Sequence, residues 1–448
     1  MDILTFFAYF ETLATATSGR QLAIIAQAML TMTGRITMLS ISRWTTEGGS
    51  YRTINRFFAT KLAWAELFVK FFQTHLFNPE NEYILAGDET VVSKSGTETF
   101  GIDRFFSGLK SRVIKGLSFF VISLVNVAER KSYPLMVKQT IRSEAEKAAI
   151  RERKKKSATK REKKKSKLKG RTKGSLNKDK TKLELSAELL RIDELLKILL
   201  KLIRVFVRIK YIALDGHFGH NQAVLMAREN DLHLISKLRK DAGLYEKYEG
   251  EYGGRGARKK YGEKFNYERL PKKYLKKSER EGEILTLFYQ GIFLSKRFGS
   301  ELNVVIIEKT NKKSEKVGHA ILFSSDVELS SEKLIEYYSL RFQIEFNFRD
   351  AKQHFGLEDF MNQTEVRVEN GANLSFLMVN LSAKLLKESD GKCIGINDLK
   401  SQFRGVKYAL ETIKLIQPKA EHILIEKVKE AISRIGSIHR HNFSASSA

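Results

Sequence analysis

Tyr338, Arg341, Glu345 and Lys352 stand among large apolar residues within one stretch of the chain. A guanidinium and an ammonium suit phosphate oxygens, and a carboxylate suits a hard cation. The stretch YYSLRFQIEFNFRDAKQHF, from Tyr337 to Phe355, follows Ser330-Ser331 and stops near Gly356. That is the N-cap and C-terminal glycine pattern of a helix. At ~100° per residue the four polar positions fall within about 60° of one another, so one helix is predicted to carry them as a single stripe. Leu340, Phe342, Ile344, Phe346 and Phe348 surround the stripe, more apolar bulk than a freely solvated helix carries. The competing reading is a surface charge ladder, because Arg341–Glu345 and Glu345–Arg349 are both i,i+4 pairs.

Two further carboxylates sit where strands are predicted. NEYILAGDETVV, Asn81–Val92, is a buried-strand pattern interrupted by Asp88. A carboxylate there needs a partner or a metal, unless Gly87-Asp88 is merely a strand-end turn. Strands are also expected over Phe100–Lys110 and Lys115–Ala128. Further on, the amphipathic helix Leu183–Val207 leads into a strand, Arg208–Asp215, that ends on the second carboxylate. A turn, a helix from about Gln222 to Glu229 and a strand over Leu232–Lys237 follow. A strand with an acidic residue at its carboxyl end, then turn and helix, is a recurring active-site arrangement in α/β folds. Asp215 could equally be a helix-entry cap. His217 and His220 are read as structural rather than as metal ligands, since no third soft ligand accompanies them.

The string Tyr-x2-Arg-x3-Glu-x6-Lys over Tyr338–Lys352 resembles the signature of DDE transposases from bacterial insertion sequences. At about 5% usage per residue type, three fixed positions after a tyrosine match by chance on the order of one time in ten thousand. The resemblance extends from about Asn81 to Ser382. It implies a ribonuclease-H-like α/β catalytic core with a β-rich insertion, flanked by N- and C-terminal helical regions. It implies that Asp88, Asp215 and Glu345 are catalytic and hold two Mg²⁺ (or Mn²⁺) ions, which clamp an in-line phosphodiester displacement. Tyr338, Arg341 and Lys352 would contact phosphates near the cleaved end. The implied activity is cleavage at transposon ends followed by strand transfer into target DNA. The implied partners are the terminal inverted repeats and the target DNA, gripped by a homodimer. A metal-dependent nuclease of the same fold without strand transfer is one alternative, and a non-enzymatic DNA-binding relic is another.

Composition agrees with a DNA partner. The 448 residues carry a formal charge of +27, with 42% hydrophobic content and one cysteine, Cys393. Such a chain is globular, seeks a polyanion, and has neither a disulfide framework nor a thiolate metal site. The N-terminal stretch lacks a basic leader and Gln21–Arg35 is too short and polar to span a bilayer, so no membrane role and a cytoplasmic location are expected.

The expected domains are residues 1–80, 81–355 and 356–448. The first is a helical region that grips DNA ends through Arg52 and Arg56, with helices over Gln21–Met32 and Tyr51–Phe72. The second is the catalytic core, interrupted by a basic insertion over 151–182 and a β-rich insertion over 239–300. The third is helical. The basic insertion holds 17 Lys/Arg against 3 Asp/Glu and no aromatic residue. It is expected to be disordered, touching phosphates through residues such as Arg171 and Lys173. The 239–300 insertion interleaves basic residues with tyrosines. Some relatives excise through a DNA hairpin and stack a flipped base on a tryptophan of this insertion. Here both tryptophans, Trp44 and Trp64, lie far upstream, which leaves Tyr248, Tyr252, Tyr261, Tyr267 or Phe288 for that stacking.

Overall fold

The computed structural model describes residues 3–7, 15–45, 49–152, 179, 180, 182, 184–252, 254, 256–389, 391–416 and 422–433. Arg171 and Lys173 of the basic insertion lie outside the described residues.

Twelve strands among the described residues form one mixed sheet. They are β1 (Tyr83–Ser93), β2 (Asp103–Ser107), β3 (Arg112–Asn126), β4 (Lys131–Gln139), β5 (Tyr211–Leu214), β6 (His233–Leu238), β7 (Leu244–Lys247), β8 (Tyr261–Lys264), β9 (Leu275–Glu281), β10 (Ile284–Ser295), β11 (Leu302–Asn311) and β12 (Val317–Ser324). The order is β2-β3-β1-β5-β6-β12-β11-β10-β7-β8, with β4 on β3 and β9 on β10. β1, β5 and β6 run parallel, and their outer neighbours β3 and β12 run antiparallel to them. The β-rich stretch after residue 239 therefore does not stand apart from the central strands. It continues their sheet through β12, β11 and β10.

β4 is absent from the sequence reading because Pro134 interrupts its pattern. Proline has no N–H to give to a ladder, and the β3–β4 register shifts between Ile122 and Ser123, where Pro134 faces the ladder. Burial of every β3 residue from Gly116 to Asn126 shows why a partner is needed on each side.

The helices are α1 (Ile3–Phe6), α2 (Ala16–Thr31), α3 (Met38–Trp44), α4 (Tyr51–Ala59), α5 (Trp64–His75), α6 (Ala187–Ile203), α7 (Asn221–Glu229), α8 (Ser331–Leu340), α9 (Gln343–His354), α10 (Glu365–Glu388), α11 (Ile396–Ile416) and α12 (His422–Ser433). The single helix expected over Tyr51–Phe72 is two, broken between Ala59 and Trp64. The break is made by Asn370 on α10. Its Nδ2 donates to the carbonyls of Phe58 and Thr60, each at 2.8 Å, and its Oδ1 accepts from Trp64 Nε1 at 2.7 Å. A buried amide satisfies the groups that an unbroken helix would have paired internally. Further contacts tie the N-terminal helices to the C-terminal ones, among them Arg367 Nη2 to Asn55 Oδ1 at 2.9 Å and Arg404 Nε to Thr31 O at 3.1 Å.

The helix expected over Tyr337–Phe355 is also two. Ser330 caps α8, its hydroxyl accepting from Lys333 N at 3.3 Å, and Gly356 follows α9 with φ +72°. Between them, at Arg341-Phe342, the chain tightens to three-residue hydrogen bonds: Phe342 N to Ser339 O, Ile344 N to Arg341 O and Glu345 N to Phe342 O, at 3.0–3.2 Å. No proline or glycine asks for this turn. Tertiary packing imposes it, because Leu340 lies in a small core with Ile84, Ala86, Ala213 and Ile235, whereas Ile344 lies in the main core. A straight helix could not serve both.

Candidate active site

β1 and β5 pair in parallel with Gly87 opposite Leu214. Asp88, inside β1, and Asp215, the residue after β5, come next, so they stand side by side on adjacent backbones. Alternation along β1 puts Asp88 on the face of Ile84 and Ala86, the small core covered by α8. The apolar patch under α8 ends where the two carboxylates begin.

The α8–α9 break lies over Asp88. Arg341 Nη1 donates to Asp88 Oδ2 at 2.6 Å, and the amide of Glu89 donates to Asp88 Oδ1 at 2.8 Å. Despite both contacts, burial pushes the Asp88 carboxyl up to about 6, and the negative charges of Asp215 and Glu345 add to the rise. The Asp88 side chain is one-fifth exposed and that of Arg341 is 14% exposed. Arg341 Nε is buried without a hydrogen-bond partner. Asp215 turns its Oδ1 to the amide of His217 at 3.0 Å, capping the short turn Gly216–Phe218, while Ser236 Oγ holds its carbonyl at 2.6 Å. Asp215 is thus a turn cap and a neighbour of Asp88 at once. Glu345, in the first turn of α9, is exposed.

The break changes the predicted stripe. Tyr338 and Arg341 belong to the end of α8, and only Glu345 and Lys352 share a helix. All four still gather along β1. The phenol of Tyr338 has its pKa raised by burial, against the Arg341 charge and with a contribution from Asp215 and Asp88. Lys352 Nζ donates to Val91 O at 3.0 Å, and burial lowers its pKa, opposed by Glu358 and Glu345 and assisted by Lys110. The competing ladder of i,i+4 pairs does not form: Arg341 turns to Asp88, and Arg349 pairs with Asp350 at 2.9 Å.

His217 Nε2 meets Glu188 Oε2 of α6 at 3.1 Å, an ion pair that raises the imidazole pKa. Burial lowers that of His220. Arg52 and Arg56 are exposed on α4. Among Tyr248, Tyr252, Tyr261, Tyr267 and Phe288, Tyr252 is the most open to solvent, at 51%, with its hydroxyl donating to Gly256 O at 2.7 Å. Glu188, Ser236 and Lys110 are neighbours of the site that sequence patterns did not single out. Nothing local marks them, since each reaches it through another element.

A family model for DDE superfamily endonucleases matches residues 8–284, and one for transposase DDE domains matches residues 191–381. The chain belongs to the DDE superfamily of endonucleases. Both aspartates of this DDE chain fall within the first match, and Asp215 and Glu345 fall within the second. No curated protein matches the chain. Among solved structures, a cryo-EM piggyBac transposase synaptic complex with hairpin DNA aligns over 100% of this chain and 85% of that one, at 10% identity and a TM-score of 0.36. That likeness is too distant to locate any residue. Among the described residues, no helix is long and apolar enough to cross a membrane.

Asp88, Asp215 and Glu345 offer carboxylate oxygens only, the donor type of a hard divalent cation. Burial is the main cause of the raised Asp88 pKa, and Asp215 and Glu345 add to it, so the three carboxylates act on one another at one place. No three His, Cys, Asp or Glu side chains among the described residues form a group that could hold one ion. Mg²⁺ is commonly bound by one or two carboxylates, with water and substrate phosphate completing its shell. The residues present fit a cation held in that open manner.

Proposed function

We propose that this chain is a DNA transposase of the bacterial insertion-sequence group that carries the Tyr-x2-Arg-x3-Glu-x6-Lys signature. It cleaves the ends of its element and joins them to target DNA. The observation that carries the reading is the in-register pair Asp88 and Asp215, with Arg341 on Asp88 and Glu345 close enough to raise its pKa. In this reading residues 81–355 are a ribonuclease-H-like catalytic core. Residues 1–80 grip DNA ends with Arg52 and Arg56, residues 356–448 form a helical region, and Arg171 and Lys173 add phosphate contacts. The protein acts in the cytoplasm as a dimer, because two ends must be paired.

Asp88, Asp215 and Glu345 would hold two Mg²⁺ or Mn²⁺ ions. When bound, such ions supply Lewis-acid charge to the attacking and leaving oxygens of an in-line displacement. Arg341 neutralises Asp88 in the free protein, and Arg341, Tyr338 and Lys352 orient the phosphates of the end to be cut. Water attacks first, breaking the phosphodiester at the element's end and freeing a 3′-hydroxyl. That hydroxyl then attacks the target phosphodiester, whose bond to the target's own 3′-oxygen breaks so that a target 3′-hydroxyl leaves. No covalent bond to the protein forms at either step.

The test is incubation of the full chain with Mg²⁺, a DNA carrying the ends of its own element, and a target plasmid. Joined products are expected. Cuts without joining would reduce the reading to a nuclease, and a mobility shift without cuts would reduce it to a DNA-binding protein.

A further inference from the structure

The ribbon formed by β2 and β3 is unused by the chemistry above. The β1–β3 ladder ends with Ser93 opposite Gly116, and β3 runs on to Arg112 paired with β2. Residues 103–116 therefore project as a two-stranded ribbon past the carboxyl end of β1, the strand that carries Asp88. One face of the ribbon is buried: Phe105 lies beneath the Arg142 guanidinium, 4.3 Å from its ring centre. The other face is open. It carries an apolar rung, Phe106 opposite Val113, and a basic rung, Arg104 opposite Lys115. Leu109 stands at the tip, 89% exposed, with Phe106 at 63% and Val113 at 48%. Lys110 and Arg112 flank it. Ser111, at φ +47°, closes the turn by donating from its amide to Gly108 O at 3.2 Å. All four cations are exposed, and the Lys110 charge reaches Lys352 beside the active site.

An apolar tip set among cations is costly to keep in water unless something covers it. A second copy of the chain would need on the order of 800 Å² per partner for a stable interface. Three side chains do not supply that, and the four cations would lose their hydration against a chain of like charge. Duplex DNA answers both features, since its phosphates match the cations and its base steps accept an apolar wedge.

We propose that this ribbon is a DNA wedge. Leu109, backed by Phe106 and Val113, enters the minor groove and unstacks one base step beside the bound end. Arg104, Lys110, Arg112 and Lys115 hold the phosphates on either side. The inference rests on the reading of the chain as a DNA-acting enzyme, and its test separates the two.

The full chain, without divalent metal, is titrated with a mixed-sequence duplex and with the same duplex bearing one unpaired step. Wild type is expected to bind the second about tenfold more tightly, because the unstacking is already done. Leu109→Ala should lose that preference, and Leu109→Phe should restore it. Lys110→Ala should lower the log–log salt slope by about 0.9 on both duplexes. Salt-dependent binding without any preference for the unpaired step, or a preference that survives Leu109→Ala, would overturn the wedge and leave the enzyme reading intact. No salt-dependent binding to either duplex would overturn both. If Phe106→Ala and Leu109→Ala instead changed the mass measured by light scattering while the preference stayed, the ribbon would be a protein contact and the wedge would be refuted.

Discussion

Arg341 Nη1 and Asp88 Oδ2 lie 2.6 Å apart, joining positions separated by 253 residues of chain. This ion pair ties the break between α8 and α9 to β1, beside the residue that follows β5, Asp215. The guanidinium sits beside a carboxylate already crowded by two others, so one side chain both builds the site and offsets its charge.

Removing that guanidinium leaves a nearly buried carboxylate without its counter-charge, a loss of about 2–3 kcal/mol for a pair this well covered. Arg341→Ala is therefore expected to lower unfolding stability by that amount at pH 7 in a urea titration. At pH 5 the cost should shrink, since a carboxyl with a pKa of about 6 is already mostly protonated there. An equal loss at both pH values would show that packing, not the ion pair, sets the cost.

The Asp88 pKa carries its own sign. It is raised from about 4 in the unfolded chain to about 6 in the fold. The native state therefore binds more protons than the unfolded state in that window, and stability falls as pH rises from about 4 to about 6. Asp88→Asn removes the titration. It should be more stable than wild type at pH 7, by roughly 1–2 kcal/mol after allowance for partial exposure, and similar to it near pH 4. Thermal melts at the two pH values check this, and added Mg²⁺ should narrow the difference at pH 7 by stabilising the ionised wild type.

Asp88→Ala, Asp215→Ala and Glu345→Ala are each expected to abolish cleavage while changing duplex affinity by less than about threefold, since their charge serves cations rather than phosphates. Gel-based cleavage and anisotropy on the same preparations separate the two effects. Comparable cutting by any one variant in Mg²⁺ would remove that residue from the site.

Asn370 is a test of the fold rather than of the chemistry. Its amide satisfies the carbonyls of Phe58 and Thr60 and the indole of Trp64 at the α4–α5 break. Asn370→Ala strands these buried groups and should cost about 3 kcal/mol. The expected result is a lower midpoint in guanidinium with an unchanged slope. A shift under about 0.5 kcal/mol would mean that water replaces the amide.

The sequence by itself determined the residue types and the strands and helices that bear them. Buried apolar runs exposed β1, β3, β5 and β6, and amphipathic spacing exposed α6. The signature string over Tyr338–Lys352 resembled DDE transposases of bacterial insertion sequences, and the match over residues 8–284 assigns the broader DDE superfamily. These are local properties, set by period, cap and turn residue within a few positions. Tertiary structure decided what local rules do not reach. Pairing across the sheet put Asp88 beside Asp215, and it used Pro134 inside a strand by shifting the register around it. The two predicted long helices broke because their halves serve different partners. Asn370 splits one from more than 300 residues away, and the other is split by two separate cores, with Arg341 drawn down onto Asp88 between them. Helical propensity sums over neighbours in the chain, whereas those breaks are set by side chains hundreds of residues distant.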